Sequence, residues 1–358
     1  MNILLIYGGK SCEHDVSVIT ACLARGYFQG NLYCAYFDKN NECYLVPNDY
    51  TPIKHVTEKL KNRISFIFGE SKIAVMRGRR VVKTVQIDVA VNCCHGYSGE
   101  DGTVAAICQL LNVPLVGSSL IPSAVAMDKC LSKTVLREYG FPVLEGFGLN
   151  SSDGITELGA LSYPVVVKPV TLGSSIGVDV AHNDDELSRA LANAFKYDGK
   201  VLIERALTDF TELNCAVMKS RGKTVCSAVD CPVTLNDILT FEDKYVSNSA
   251  AGVKRADVSD ELVLRVKEMT AGIYDRLGFS GVIRVDYLLD NTTQELYVNE
   301  INSIPGSLAY GLWENEYTRT EYGQALVEQA VADHRENSKR TRVFSSTVLN
   351  GANGVKKK

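Results

Sequence analysis

The stretch that decides the fold is GVIRVDYLLDNTTQELYVNEINSIPG, residues 281–306. Two runs in which polar and apolar residues alternate flank the polar turn NTTQ, and this pattern predicts a β-hairpin. Because the side chains of a strand alternate between its faces, Arg284 and Asp286 share one face. Glu300 and Asn302 share a face on the return strand in the same way. Folding about residues 291–293 brings the second pair opposite the first, so one face should carry two carboxylates, an amide and a guanidinium.

We interpret this polar face as a metal site. Buried carboxylates are costly unless a cation neutralises them. Mg²⁺ binds hard oxygen ligands and usually keeps waters and substrate phosphates in its shell. Such oxygen ligands are offered by Asp286, Glu300 and Asn302. The alternative is a solvent-facing salt bridge between Arg284 and a neighbouring carboxylate. The convergence of the three ligands with the turn at Pro305-Gly306 favours the metal.

Length and composition narrow the class of protein. The 358 residues are enough for two or three domains. The hydrophobic content of 46% is typical of a globular enzyme, and the net charge of −4 argues against a nucleic-acid-binding protein. Strand-sized apolar runs predict no membrane span, and the N-terminus MNILLIYGGK is typical of a strand rather than a signal peptide. The eleven cysteines lack C-x-x-C or zinc spacing, which indicates free thiols in a reducing cytosol.

An open α/β unit is predicted at the N-terminus. A strand over residues 2–7, a glycine turn and a helix follow one another, and loops at strand ends of such units bind ligands. Glu13 lies at the start of this helix, where it either favours the helix dipole or holds a substrate ammonium group. A buried strand over residues 87–92 leads into the loop CCHGYSGEDG. In that loop His95 is either a structural histidine or part of a ligand site.

A loop of small residues, TLGSSIG, follows the predicted strand 164–169 that carries Lys168. Its backbone N–H groups can approach phosphate oxygens closely, and the flanking lysine favours phosphate contact over a flexible β-turn. Further along, residues 232–258 have no periodicity but contain FEDKY. A loop of this length with aromatic and charged residues predicts a lid.

Taken together, these motifs resemble the D-alanine–D-alanine ligases of the ATP-grasp superfamily. Seven segments occur in the family's order and at similar spacing across residues 2–335: GGKSCEHDVS, HGYSGEDGT, SAVAMDK, VVVKP-x-x-x-GSSIG, FEDKY, RVDY and VNEINSIPG. The resemblance implies an N-terminal Rossmann-like α/β domain over residues 1–118, followed by a two-lobed α+β ATP-grasp fold. The lobes would be a central subdomain, 119–207, and a C-terminal subdomain with the lid, 208–340, ahead of a tail, 341–358.

The family's nucleotide and metal residues match positions of this chain. The resemblance implies that ATP phosphates are held by Lys129, Lys168, Ser175 and the lid residue Lys244. Adenosine hydroxyls would be held by Glu204 and Glu212. Two Mg²⁺ ions, for which Mn²⁺ can substitute, would be held by Asp286, Glu300 and Asn302.

The amino-acid residues match as well. The resemblance implies that the first substrate's ammonium binds Glu13, whose partners are Ser174 and Tyr245, with His95 beside it. The oxyanion would be stabilised by Arg284 and the Gly306 N–H. Where the family usually has a serine for the second substrate's carboxylate, this chain has Gly311, followed by Leu312, and the candidates to replace that serine are Ser307 and Tyr310.

The sequence therefore predicts a cytoplasmic ATP-dependent ligase that joins two D-alanines through an acyl phosphate for peptidoglycan precursor synthesis. The family also implies a homodimer that binds neither nucleic acid nor membrane. Retention of Tyr245 favours an amine as the second substrate. Three alternatives stay open: D-serine or glycine as the second substrate, an ATP-grasp protein that binds nucleotide without ligating, and a ligase for an unrelated carboxylate.

Overall fold

The computed structural model describes residues 1–153, 158–232 and 258–346. The first of its sheets contains β1 (Asn2–Gly8), β2 (Asn31–Phe37), β3 (Cys43–Val46), β4 (Arg63–Ile67), β5 (Lys72–Arg77), β6 (Arg80–Gln86), β7 (Val89–Asn92) and β8 (Leu115–Val116). The strand order is β6-β5-β4-β3-β2-β1-β7-β8. Strands β2, β1, β7 and β8 run parallel, and β2 to β6 form antiparallel pairs. The helices of this part are α1 (His14–Ala24), α2 (Lys54–Thr57) and α3 (Thr103–Leu111).

The parallel centre of this sheet positions two of the predicted site residues. Strands β1 and β7 are neighbours, and both end at the same edge of the sheet. Glu13 follows β1 and His95 follows β7, so the carboxyl ends of the two strands bring both loops to one edge.

A second sheet is antiparallel and contains β9 (Gly146–Asn150), β10 (Val165–Pro169), β11 (Asp179–Ala181) and β12 (Lys200–Arg205), in the order β11-β10-β12-β9. Its helices are α4 (Leu120–Met127), α5 (Lys129–Glu138) and α6 (Asp184–Ala194). The Asn183 side chain accepts the Glu186 N–H and begins α6. The sequence pattern predicts a helix only over residues 132–139, whereas α5 starts at Lys129, because Asp128 caps it by accepting the Leu131 N–H.

A third antiparallel sheet holds the hairpin of residues 281–306. It contains β13 (Phe210–Ser220), β14 (Lys223–Asp230), β15 (Val282–Asp290) and β16 (Leu296–Asn302), in the order β14-β13-β15-β16. It is accompanied by α7 (Asp260–Leu277), a 3₁₀ segment (Gly306–Leu312) and α8 (Arg319–Ser338). Ser259 caps α7 and Gly278 ends it in the left-handed conformation, both as predicted.

The hydrophobic cores join the first sheet to the third and pack helices onto the second and third sheets. One core joins Leu5 of the first sheet to Met218 of the third and to Trp313 after the 3₁₀ segment. Separate cores lie between the third sheet and α7 and between the second sheet and α6. The first and third sheets are therefore packed against each other by continuous apolar burial.

The predicted fold class, a Rossmann-like α/β part followed by an α+β part with two antiparallel sheets, is confirmed. The domain boundaries at residues 118, 207 and 340 stay predictions. The short strands β4, β9 and β11 lie in segments whose sequence pattern predicts no strand, and a strand that the pattern predicts over residues 113–116 is confined to Leu115–Val116. Within the described parts of the chain, none of the helices combines the length and the apolar character that a membrane crossing requires.

Candidate active site

The hairpin β15–β16 carries the predicted polar face. Asp286 pairs with Glu300 across the two strands, and Arg284 pairs with Asn302. Arg284 Nε and Nη2 donate to the two oxygens of Asp286 at 2.6 and 2.8 Å, and Asn302 Nδ2 donates to Asp286 Oδ2 at 2.8 Å. The salt bridge that we considered as an alternative is thus present. It does not face solvent, since the Asp286 side chain is only 14% exposed.

The oxygen donors of this face fit a hard divalent cation. No three His, Cys, Asp or Glu side chains of the described ranges stand close enough to form a metal site by themselves. Mg²⁺ at nucleotide sites uses one or two carboxylates and completes its shell with water and phosphate, so Asp286 and Glu300 are sufficient.

A cavity of about 640 Å³ separates the second sheet from the third. Among the residues that line it are seven of the predicted site residues: Lys129, Lys168, Ser175, Glu204, Glu212, Asp286 and Glu300. Its size and its mixture of apolar and charged walls suit a nucleotide.

Two lysines connect the walls of this cavity. Lys129 Nζ donates to the Leu172 carbonyl oxygen at 2.7 Å and lies 3.7 Å from Glu300 Oε2. Lys168 Nζ, on β10, donates to Asn299 Oδ1 of β16 at 3.3 Å and forms an ion pair with Glu204. Both cations therefore lie where phosphate oxygens between the two sheets would meet them.

Glu204 is buried between two lysines. Its exposed fraction is 2%, and its second oxygen lies 2.7 Å from Lys133 Nζ. Burial by itself would raise the pKa of Glu204, but Lys133 and Lys168 outweigh it and hold that pKa below its usual range. Sequence reasoning missed Lys133; the available signal was its place four residues after Lys129 on one helix. The adenosine role of Glu204 stays a prediction.

A buried carboxylate–hydroxyl pair adjoins the cavity. Ser174 Oγ donates to Glu13 Oε1 at 2.5 Å, and Ser174 and Glu13 are 9% and 5% exposed. Burial raises the pKa of Glu13, while the Ser174 hydrogen bond and the Lys129 charge oppose that rise. Ser174 and Ser175 both have positive φ, 55° and 57°, and this backbone turns the small-residue loop back onto Glu13.

His95 is held by a residue that the sequence analysis did not identify. Thr20 Oγ1 lies 2.9 Å from His95 Nε2 and accepts the Ser307 N–H at 3.2 Å. Because Thr20 is buried, its hydroxyl proton needs an acceptor, and donation to Nε2 leaves the ring proton of His95 on Nδ1. Burial lowers the pKa of His95 to about 4, helped by the charge of Arg284, so the ring is neutral near pH 7.

The chain after Pro305-Gly306 makes a left-handed turn. Residues 307–309 have φ values of 51°, 53° and 56°, a conformation that non-glycine residues adopt only when tertiary contacts impose it. Tyr27 donates to the Ser307 carbonyl oxygen at 3.3 Å and Tyr322 donates to that of Leu308 at 2.6 Å. These contacts hold Ser307 next to Thr20, whose hydroxyl oxygen accepts the Ser307 N–H.

The predicted residues for the second substrate are divided. Ser307 contacts Thr20, whereas Leu312 is buried in the core beneath the turn. Neither Gly311 nor Leu312 lines the cavity of 640 Å³, and their role stays a prediction. Lys244 and Tyr245 lie outside the described residues.

Glu100 joins the loop after β7 to the loop after β16. Its Oε2 accepts the Gly96 N–H at 3.1 Å, and its Oε1 accepts the Ile304 N–H at 3.3 Å. Burial, and next the charge of Glu13, raise the pKa of Glu100 to about 8. Glu100 belongs to the loop CCHGYSGEDG, and the sequence alone assigns it no role.

Comparison with known proteins agrees with this architecture. Residues 2–118 match the family model described as "D-ala D-ala ligase N-terminus", and residues 131–328 match "D-ala D-ala ligase C-terminus". The chain is 33% identical to a D-alanine–D-alanine ligase of Thermoanaerobacter sp. (strain X514), over 93% of this chain and 97% of the relative.

Two solved structures show the same fold. The D-alanine–D-alanine ligase of Coxiella burnetii superposes with a TM-score of 0.80 at 25% identity, covering 95% of this chain and 96% of that one. A Bacillus anthracis D-alanine–D-alanine ligase, solved in complex with ATP, superposes with a TM-score of 0.68 at 23% identity, covering 94% and 99%. On the family models and the identity to curated relatives, the chain belongs to the D-alanine–D-alanine ligase family.

Proposed function

We propose that this protein is an ATP-dependent ligase that joins two D-alanines into D-alanyl-D-alanine for peptidoglycan precursor synthesis. The observation that carries the proposal is the buried Glu13–Ser174 pair directly beside a nucleotide-sized cavity, whose lining includes two lysines and the hairpin carboxylates Asp286 and Glu300. A site for an amino acid and a site for a nucleotide thus adjoin, as ligation through an activated carboxylate requires. The names of the relatives and the ATP complex of the Bacillus anthracis structure support the same assignment.

ATP binds between the second and third sheets in this proposal. Lys129 and Lys168 hold its phosphates, with the backbone of the loop at Ser175, and Lys244 of the lid completes the set. A carboxylate attacks ATP poorly because both partners are anionic, so positioning and charge neutralisation supply most of the catalysis.

The divalent cation has its place at the hairpin. Asp286, Glu300 and Asn302 would hold Mg²⁺, or Mn²⁺ in its stead, and two such ions would neutralise the phosphate charge when bound. Arg284 orients Asp286 through the paired hydrogen bonds to both carboxylate oxygens.

The first D-alanine binds through its ammonium group to Glu13. A cation beside Glu13 favours the ionised carboxylate, and Ser174 already stabilises that form by its hydrogen bond. The substrate carboxylate then takes the γ-phosphoryl group of ATP, giving an acyl phosphate and ADP. The lid with Tyr245 closes over this site and protects the acyl phosphate from water.

The second D-alanine attacks the acyl phosphate through its amine. The oxyanion of the tetrahedral intermediate is stabilised by Arg284 and the Gly306 N–H, and the loss of one such donor typically costs about 3–4 kcal/mol. Collapse of the intermediate forms the peptide bond and releases phosphate. The neutral His95, which Thr20 orients, lies beside the first amino acid. Ser307 takes the place of the serine that the family usually has and binds the carboxylate of the second D-alanine.

We further propose a homodimer in the cytoplasm, where ATP is supplied. No disulfide joins any of the eleven cysteines, all of which lie in described parts of the chain, in keeping with a reducing compartment.

The experiment that tests the function is mass spectrometry of the products formed with ATP, Mg²⁺ and pairs of D- and L-amino acids. D-Alanyl-D-alanine as the main dipeptide supports the proposal. A mixed dipeptide of D-alanine with D-serine or glycine changes the second substrate, and ATP binding without any dipeptide indicates a non-catalytic protein. If Glu13→Gln leaves the KM for D-alanine unchanged, the amino-acid site is wrongly placed.

A further inference from the structure

Lys133 is a buried cation that does not belong to the lining of the nucleotide cavity. It lies one helical turn after Lys129 on α5 and is 4% exposed, yet it is not among the residues that line the nucleotide cavity. Its Nζ is 2.7 Å from Glu204 Oε2. Apart from this ion pair, neither atom has a hydrogen-bond partner within the described chain.

Glu204 is shared by two lysines that differ in position. Lys168 meets its other oxygen, and Lys168 does line the cavity and reaches Asn299 on the opposite wall. The three groups carry two positive charges and one negative charge. The cluster of Lys133, Glu204 and Lys168 therefore has a net charge of plus one, and of its two cations only Lys168 lines the cavity and faces the nucleotide.

Removal of Lys133 would change this balance. Glu204 is 2% exposed and would then pair with Lys168 alone, so its charge would cancel that of the phosphate-binding lysine. Electrostatic effects of this kind are strong in a site that excludes water. The free oxygen of Glu204 would also draw Lys168 away from Asn299.

We propose that Lys133 is a positioning residue for nucleotide binding, which engages one oxygen of Glu204 and so leaves Lys168 with net positive charge toward the phosphates. This inference rests on the proposed use of ATP. Burial lowers the pKa of Lys133, while Glu204 raises it, so the cation depends on its partner.

The test compares Lys133→Met, Lys133→Arg and the double variant Lys133→Met/Glu204→Gln by calorimetric titration with ATP and by steady-state kinetics. Lys133→Met should weaken ATP binding about tenfold, a change of 1.4 kcal/mol, and leave the KM for D-alanine within about twofold. Lys133→Arg should restore most of the affinity. The glutamine of the double variant keeps a carbonyl oxygen that can accept from an adenosine hydroxyl. The double variant should therefore bind ATP more tightly than Lys133→Met, because Lys168 regains its charge, whereas a merely structural role predicts no such recovery.

Three results would overturn the inference: ATP affinity of Lys133→Met within about twofold of the wild type, a double variant no better than the single one, or equal loss in both KM values. If Lys133→Met does not fold, the double variant, which leaves no unpaired buried carboxylate, and the arginine variant carry the same comparison. Measurements on the wild-type protein distinguish failure of the proposed function from failure of this inference. If it does not bind ATP or makes no dipeptide, the proposed function fails; if it does both while Lys133→Met binds normally, only the inference fails.

Discussion

Replacement of Ser174 by alanine tests the amino-acid site most finely. The Ser174 hydroxyl donates to Glu13 at 2.5 Å, and this hydrogen bond lowers the pKa of a carboxyl that burial raises. Glu13 has to be ionised to hold the ammonium group of D-alanine. Ser174→Ala removes the donor and should therefore raise the pKa of Glu13 further.

The size of the shift follows from the contact. A hydrogen bond to a charged group contributes about 1.5–3 kcal/mol, and one pKa unit corresponds to about 1.4 kcal/mol. Glu13 is only 5% exposed, so solvent screening does not reduce the effect much. We expect the pKa of Glu13 in the free enzyme to rise by about 1–2 units.

The assay is the pH dependence of kcat/KM for D-alanine, which reports ionisations of the free enzyme. Its acidic limb should move to higher pH by the same amount in Ser174→Ala. Ser175→Ala is the matched control, because Ser175 is the next residue and has the same positive φ, 57° against 55°. We expect Ser175→Ala to raise the KM for ATP without moving the acidic limb. An unmoved limb in Ser174→Ala, or equal movement in both variants, would refute the reasoning.

Three other predictions concern pH, orientation and packing. The pKa of Glu100 is raised from 4.5 to about 8, so the folded state binds a proton that the unfolded state releases, and stability should fall as pH rises through that range. Glu100→Gln should flatten the pH dependence of the free energy of unfolding, measured in urea. An unchanged slope would contradict this. Thr20→Val removes the hydroxyl that orients His95 and should lower kcat/KM about tenfold, whereas Thr20→Ser keeps the hydroxyl and should retain most activity. Equal activity of the two variants would contradict this role of Thr20. Gly281→Ala would place a Cβ 2.6 Å from a neighbouring backbone nitrogen, whereas Gly278 also has positive φ but open space around it. Gly281→Ala should therefore lower the free energy of unfolding in urea by about 2 kcal/mol more than Gly278→Ala does. Equal losses of stability in the two variants would contradict this.

The hairpin could be predicted from sequence because its information is local. Alternation with period two places residues on a face, and a short polar turn limits the register, so the pairing of Asp286 with Glu300 follows within a residue or two. The same holds for the caps at Asn183 and Ser259, since a cap depends on residues three positions apart.

Contacts between distant segments could not be predicted in this way. Thr20 and Ser307 are 287 residues apart, and neither lies in a pattern that points to the other. The left-handed turn over residues 307–309 contains no glycine or asparagine, so only its tertiary contacts with Tyr27 and Tyr322 explain it. The role of Lys133 could not be predicted because the sequence pattern places the start of α5 after Lys129, so the two lysines are not recognised as neighbours one helical turn apart.

The central claim is that the carboxylate of one D-alanine takes the terminal phosphoryl group of ATP before the second D-alanine attacks. The most direct measurement uses D-alanine labelled with ¹⁸O in its carboxylate and follows the label by mass spectrometry of the phosphate released. The account predicts that each phosphate formed together with D-alanyl-D-alanine carries one ¹⁸O atom from the first D-alanine. Dipeptide formation with unlabelled phosphate would contradict it.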